Sequence, residues 1–167
     1  MKFTVAILVN NQFGVLNRIT SMFRRRQFNI TSLTVSETES EEFSRITVQS
    51  EGDEVKKQQL VNQLYKLPDI VSVAELSSEE TVNRELMLIK MHNDPDSRDH
   101  IRSAIDAFEG KIVDYTKESL VIQMVGDSRK IDNFITLMKE FGIMEICRTG
   151  VVSLQRGAST IRKVTNF

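Results

Sequence analysis

The residues of this chain whose types could do chemistry gather at one turn. Asn10, Asn11 and Gly14 lie in the stretch NNQFGVLNRITSMFRRRQFNITSL, residues 10–33, where a strand hands over to a helix. The first N–H groups of a helix lack intrahelical partners, and the helix dipole there favours negative charge. A carboxylate suits such a position. Gly14 permits close backbone approach or a positive φ, and the asparagines add amide donors and acceptors able to meet an ammonium or a carboxylate. On residue types alone, a plain turn, bent by Asn11 and Gln12 and ended by Gly14, fits as well as a ligand site.

Other chemistry is sparse. There is no Walker A loop, no GxGxxG and no HExxH, and the 7 glycines are scattered. His92 and His100 are the only histidines and Cys147 the only thiol. Cys147 sits between Ile146 and Arg148 in an alternating strand, where a small core residue is expected. His100, among Arg98, Asp99 and Arg102, reads as a solvated helix face, and Asp94 and Asp96 flank Pro95 as turn residues. No catalytic or metal site emerges. A net charge of −1 offers no basic footprint for nucleic acid. The strands FSRITVQS and SLVIQMVG carry Phe43 as their single aromatic, too little for a base-stacking sheet.

Composition bounds the rest. Hydrophobic residues at 40% and charged residues at 27% are those of a soluble globular protein. Apolar runs such as VAILV fall far short of the roughly 20 residues needed to span a bilayer. Lys2 leads straight into an alternating strand, with no signal-peptide pattern. A single cysteine excludes an internal disulfide framework and fits a reducing cytoplasm.

The elements that must position the turn are written twice. KFTVAILVN, residues 2–10, reads as a strand, and the helix after Gly14 places Val15, Ile19, Met22 and Phe23 on one face. Strands at 30–38 and 43–50 follow. Asp53 caps a helix carrying Val55, Leu60, Val61 and Leu64, and IVSVAEL closes the set. After a polar connector at 78–83 come a strand at 84–92, a helix with Ile101, Ile105 and Phe108 inward, and the strands KIVDYT and SLVIQMVG. A helix with Ile131, Phe134, Ile135 and Met138 inward then ends at Gly142, expected to be left-handed. One last strand, IMEICRTGVVSLQ, has Gly150 as a bulge. The expected fold is α+β, two tandem βαββαβ ferredoxin-like domains at 1–77 and 84–157, with a mobile tail at 158–167. Each small sheet leaves one face and its edges needing cover, so a homodimer or larger assembly is expected.

NNQFGVLNRITSMFRRRQFNITSLTVSETE resembles the first half of an ACT domain, the amino-acid-sensing βαββαβ module. More closely, it resembles the opening of the acetolactate synthase (acetohydroxyacid synthase) small, regulatory subunits. SRITV at 44–48, the helix text at 57–67 ending in LYKLPDIVSV, RELMLIKM at 84–91, GKIVDYT at 110–116 and RTGVVSLQRG at 148–157 extend the likeness over nearly the whole chain. Phe13 departs from the small or polar residue expected before Gly14. The resemblance implies a non-catalytic accessory subunit with no cofactor of its own. Its catalytic partner would hold thiamine diphosphate, Mg²⁺ and FAD and condense pyruvate with pyruvate or 2-oxobutyrate. The small subunit would raise that activity and confer feedback inhibition by valine or another branched-chain amino acid. The implied effector site takes Asn11, Gly14, Val15 and Leu16 from one chain and Asn29 and Ile30 from another. The effector's carboxylate would meet the helix N-terminus, its ammonium the asparagine carbonyls and its isopropyl group an apolar wall. Arg24, Arg25 and Arg26 complement the helix dipole at its C-terminus and also form a possible docking patch for the catalytic subunit. A free-standing ACT-type sensor acting on another enzyme is the alternative function.

Overall fold

The apolar alternation of KFTVAILVN forms β1 (Lys2–Asn10), with Val5, Ile7 and Val9 on one face and Ala6 and Leu8 on the other, all buried. The structure is a computed structural model and describes residues 1–164. After β1 come α1 (Val15–Arg25), β2 (Ile30–Glu37), β3 (Phe43–Glu51), α2 (Glu54–Leu64) and β4 (Ile70–Leu76). The sheet order is β2-β3-β1-β4, antiparallel throughout. Helix α1 buries Val15, Ile19, Met22 and Phe23, the face its period dictates. The Asp53 side chain accepts from Lys56 N at 2.8 Å and so starts α2. Val55, expected inward, is exposed. At about 100° per residue it stands on the opposite side of α2 from Leu64.

The second set comprises β5 (Thr81–His92), α3 (Arg98–Ala107), β6 (Lys111–Tyr115), β7 (Ser119–Gly126), α4 (Ser128–Met138) and β8 (Ile143–Arg148). Its sheet order is β6-β7-β5-β8. Met87, Ile89, Met91, Ile101, Ile122 and Phe134 are fully buried in its core. Phe108 meets Phe134 edge-on, with ring centroids 5.3 Å apart. Gly142 takes a φ of 82° after the last helical turn.

The chain divides into two compact units, one of Arg84–Gly150 and one holding Met1–Asn83 together with the chain from Val151 onward. Several expectations change accordingly. The connector is already strand at Thr81, so β5 begins in the first unit. The single closing strand is broken at Gly150, whose φ of 82° turns the chain. β8 completes the second sheet, while β9 (Val152–Gln155) pairs with β5 and belongs with the first unit. The tail expected to be mobile is seated through Ile161: Ser72 Oγ donates to the Ile161 carbonyl at 2.5 Å, and the Ile161 side chain is buried with Ala6, Leu8, Ala74 and Leu76. Residues 165–167 of that tail lie outside the described residues.

Cys147 is exposed, not a core residue. Successive strand residues face opposite sides, and Ile146 is the one that packs on the helices of the second unit. Cys147 is left beside Leu88 on the far face, where Leu88 and Val125 are also exposed.

Candidate functional site

At the end of β1 the chain turns in four residues. Gln12 N donates to the Asn10 carbonyl at 2.9 Å, and Gly14, at φ 83°, sits at the N-cap of α1. Among the described residues no side chain caps the helix, and its first turn holds no acid to answer the positive end of the dipole. Arg18 N, donating to the Gly14 carbonyl at 2.9 Å, starts the helical bonding. A Cβ built on Gly14 would meet nothing within 4 Å, so the turn opens outward.

Asn11 is committed to the fold. Its Nδ2 donates to Glu37 Oε1 at 3.2 Å and to the Glu41 carbonyl at 3.0 Å, while its Oδ1 accepts from Ser44 Oγ at 3.1 Å. Its backbone N–H donates to the Glu42 carbonyl at 2.8 Å. The side chain read as a ligand donor thus ties the turn to the β2–β3 hairpin. Val15 is buried in the core and has only backbone to offer, whereas Leu16 is exposed beside the turn.

Asn29 and Ile30 are not brought to this turn within one chain. Ile30 pairs with Ser50, Ser50 with Phe3, and Asn10 with Phe43, so the two groups lie at opposite ends of the sheet. The stretch from Phe3 to Asn10 is roughly 23 Å of strand at about 3.3 Å per residue. Asn29 is exposed and its carbonyl accepts from Ser50 Oγ at 2.6 Å. Arg24, Arg25 and Arg26 are exposed at the C-terminal end of α1.

One pair at the turn has no signal in the sequence. Asn10 N donates to the Asp69 carbonyl at 3.0 Å, and Arg18 Nε stands 2.8 Å from the buried Asp69 Oδ2. That oxygen takes no aligned hydrogen bond, so the contact is an ion pair by distance alone. It fastens the second turn of α1 to the start of β4 across 51 residues of chain, which no local pattern could reveal. Among the described residues no cluster of three or more His, Cys, Asp or Glu could hold a metal ion, and no helix is long and apolar enough to cross a membrane.

A βαββαβ unit with an uncapped, glycine-started helix beside its central strand is the architecture of an ACT domain. Residues 5–72 match the family model described as an AHAS small subunit-like ACT domain, and residues 84–157 match the model for the small subunit of acetolactate synthase. The chain is 45% identical over 157 residues to the probable acetolactate synthase small subunit of Archaeoglobus fulgidus, covering 94% of this chain and 98% of that one. It is 40% identical over 162 residues to the acetolactate synthase small subunit of Haemophilus influenzae, covering 96% and 99%. The crystal structure of the acetolactate synthase small subunit from Thermotoga maritima matches at a TM-score of 0.87 and 35% identity, over 95% of this chain and 99% of that one. The chain belongs to the acetolactate synthase small-subunit family.

Proposed function

We propose that this chain is the non-catalytic regulatory subunit of an acetolactate synthase. It raises the turnover of a catalytic subunit, which carries the cofactors, and makes it sensitive to feedback by a branched-chain amino acid, valine first among them. The observation that carries this is the register at β2. β2 is an edge strand, and its last residue, Glu37, holds Asn11 of the effector turn. When two copies join these edges antiparallel, the start of one β2 comes beside the end of the other. Asn29 and Ile30 of the second copy then reach the turn of the first, which they cannot do within one chain. The effector's carboxylate sits at the open N-terminus of α1 and its aliphatic group on Leu16 and Ile30. Asn11 shapes the site, and Asn29 reaches across with its amide.

Gly14→Asp in the reconstituted holoenzyme should abolish inhibition by valine while leaving activation intact. The new carboxylate repels the effector's own at the helix end. Open space around Gly14 means that the fold pays only for the left-handed backbone, which Asp tolerates better than most. Inhibition curves that superimpose on the parent's would exclude the turn as effector site. A mixed dimer of Gly14→Asp and Asn29→His chains tests the second copy's part: one of its two sites carries both lesions and the other neither. About half the calorimetric binding capacity should return, and a hybrid with no restored site would place each pocket within one chain.

A further inference from the structure

The first unit holds a cavity on the far face of its sheet from the helices. Leu8 of β1, Arg45 of β3 and Ser36 of β2 form one row across three strands. The segment from β9 to Ile161 and Arg162 passes over that row, and between them lies a cavity of about 380 Å³. That is within the roughly 300–1,000 Å³ range of small-molecule sites. Its lining sorts by chemistry. Leu8, Leu154 and Ile161 are apolar, Arg45 is a partly buried cation, and Glu37 and Glu39 carry the negative charge.

Arg45 is the informative residue. Its Nη2 donates to the Ser153 carbonyl at 2.7 Å, and among the described residues no carboxylate forms an ion pair with it. Burial pushes its pKa below the ordinary value, an effect that Glu39 only partly offsets. A half-buried guanidinium whose one hydrogen-bond acceptor among the described residues is a neutral carbonyl, with Glu39 acting only at a distance, is an incomplete arrangement, because buried cations are ordinarily matched by anions. Glu39 is itself drawn to Arg162, with Oε1 3.0 Å from Nη2, while Arg162 also lies 5.2 Å over the Phe43 ring.

We infer that this cavity binds a small aliphatic amino acid, with its carboxylate on Arg45, its ammonium toward Glu37 and Glu39, and its side chain against Leu8, Leu154 and Ile161. The site is complete within one chain and is separate from the turn at Gly14. Glu37 joins the two, since its Oε1 holds Asn11 while its side chain lines the cavity. Occupancy of one site then alters the other, and thermodynamic linkage makes the effect mutual.

Calorimetry of the full chain with L-valine, in the parent, Gly14→Asp, Arg45→Gln and Ser36→Phe forms, tests the inference. Gly14→Asp should retain one binding event per chain. Arg45→Gln should weaken that event by roughly tenfold to a hundredfold, the usual worth of a charge-assisted hydrogen bond. Ser36→Phe fills the cavity from the sheet without touching a charge and should abolish the same event, which covers any loosening of β9 by the arginine change. 3-Methylbutanoate, lacking the ammonium, should bind at least roughly tenfold more weakly than L-valine. Loss of all binding in Gly14→Asp, or binding indifferent to both Arg45→Gln and Ser36→Phe, would overturn the site, and equal binding of the plain acid would overturn its ligand class. Because Gly14→Asp acts at the turn and Arg45→Gln under the strap, failure of either site shows up separately.

Discussion

The two βαββαβ units share a topology and treat the far faces of their sheets in opposite ways. In the first unit, Ala6, Leu8, Ala74 and Leu76 are covered by the chain's own returning segment through Ile161. In the second, Leu88 and Val125 stay exposed on the corresponding face, with Cys147 beside them. The second unit instead spends its polar chemistry on the helix side. Glu85, 3% exposed, takes Arg148 through both carboxylate oxygens, with Ser128 Oγ also donating to it at 3.2 Å. Arg148 Nη1 adds Asp132 at 2.9 Å. The pKa of Arg148 lies above the ordinary value, chiefly through its hydrogen bonds to Glu85, with burial opposing. The two sheets thus reach a satisfied core differently, one by adding chain and one by answering a single buried carboxylate, Glu85, with Arg148 and Ser128. In the first unit much of that cover is intramolecular, supplied by the segment through Ile161.

That contrast can be broken at its two fastenings. Arg148→Met should have the largest effect, because it leaves the buried Glu85 carboxylate without its cation, at a cost of about 3–5 kcal/mol. Ser128 Oγ still donates to Glu85, which favours the lower end. Native-state hydrogen exchange should quicken across β7 while β1 keeps its protection, and equal losses in both units would mean that the pair does not belong to the second alone. Ile161→Ala comes next. Truncating a buried isoleucine costs roughly 2 kcal/mol or more, and faster exchange should be confined to β1 and β4. A strap that contributed nothing would leave denaturant midpoints unchanged.

The smallest effect is electrostatic. Lys57 bonds Glu54 at 2.8 Å and Glu75 at 3.0 Å, and these contacts raise its pKa above the ordinary 10.5. A cation with a raised folded-state pKa contributes its stability in full below the unfolded value and loses it as pH climbs through the folded one. Lys57→Met should therefore cost a few tenths of a kcal/mol at most, evenly across neutral pH, shrinking only above about pH 10.5. A penalty that varied between about pH 6 and 9 would assign it to another group.

Legibility followed the range of the interaction involved. The α1 face of Val15, Ile19, Met22 and Phe23 and the cap at Asp53 follow from spacing within a dozen residues, and both appear as expected. Val55 shows where a period alone misleads, since an apolar residue that fits a count can still stand on the wrong side of the helix. At the turn, Gly14 was legible by type, but the use of Asn11 was not: its partners Glu37, Glu41 and Ser44 arrive from a hairpin that the sequence does not place against it.

The order of elements, the repeated βαββαβ pattern, the inward faces of most helices and the glycine at the head of α1 were decided by the chain's own periodicity and turn residues, because these depend on neighbours a few positions apart. The destination of each closing segment was decided only in three dimensions. IMEICRTGVVSLQ alternates throughout, yet it breaks into two strands that both pair with β5, β8 within the second unit and β9 within the first. Alternation says that a strand has two faces and is silent on which unit receives them. The same limit hid Arg45 and the cavity above it: a strand arginine reads as solvent-facing until a segment more than a hundred residues later closes over it.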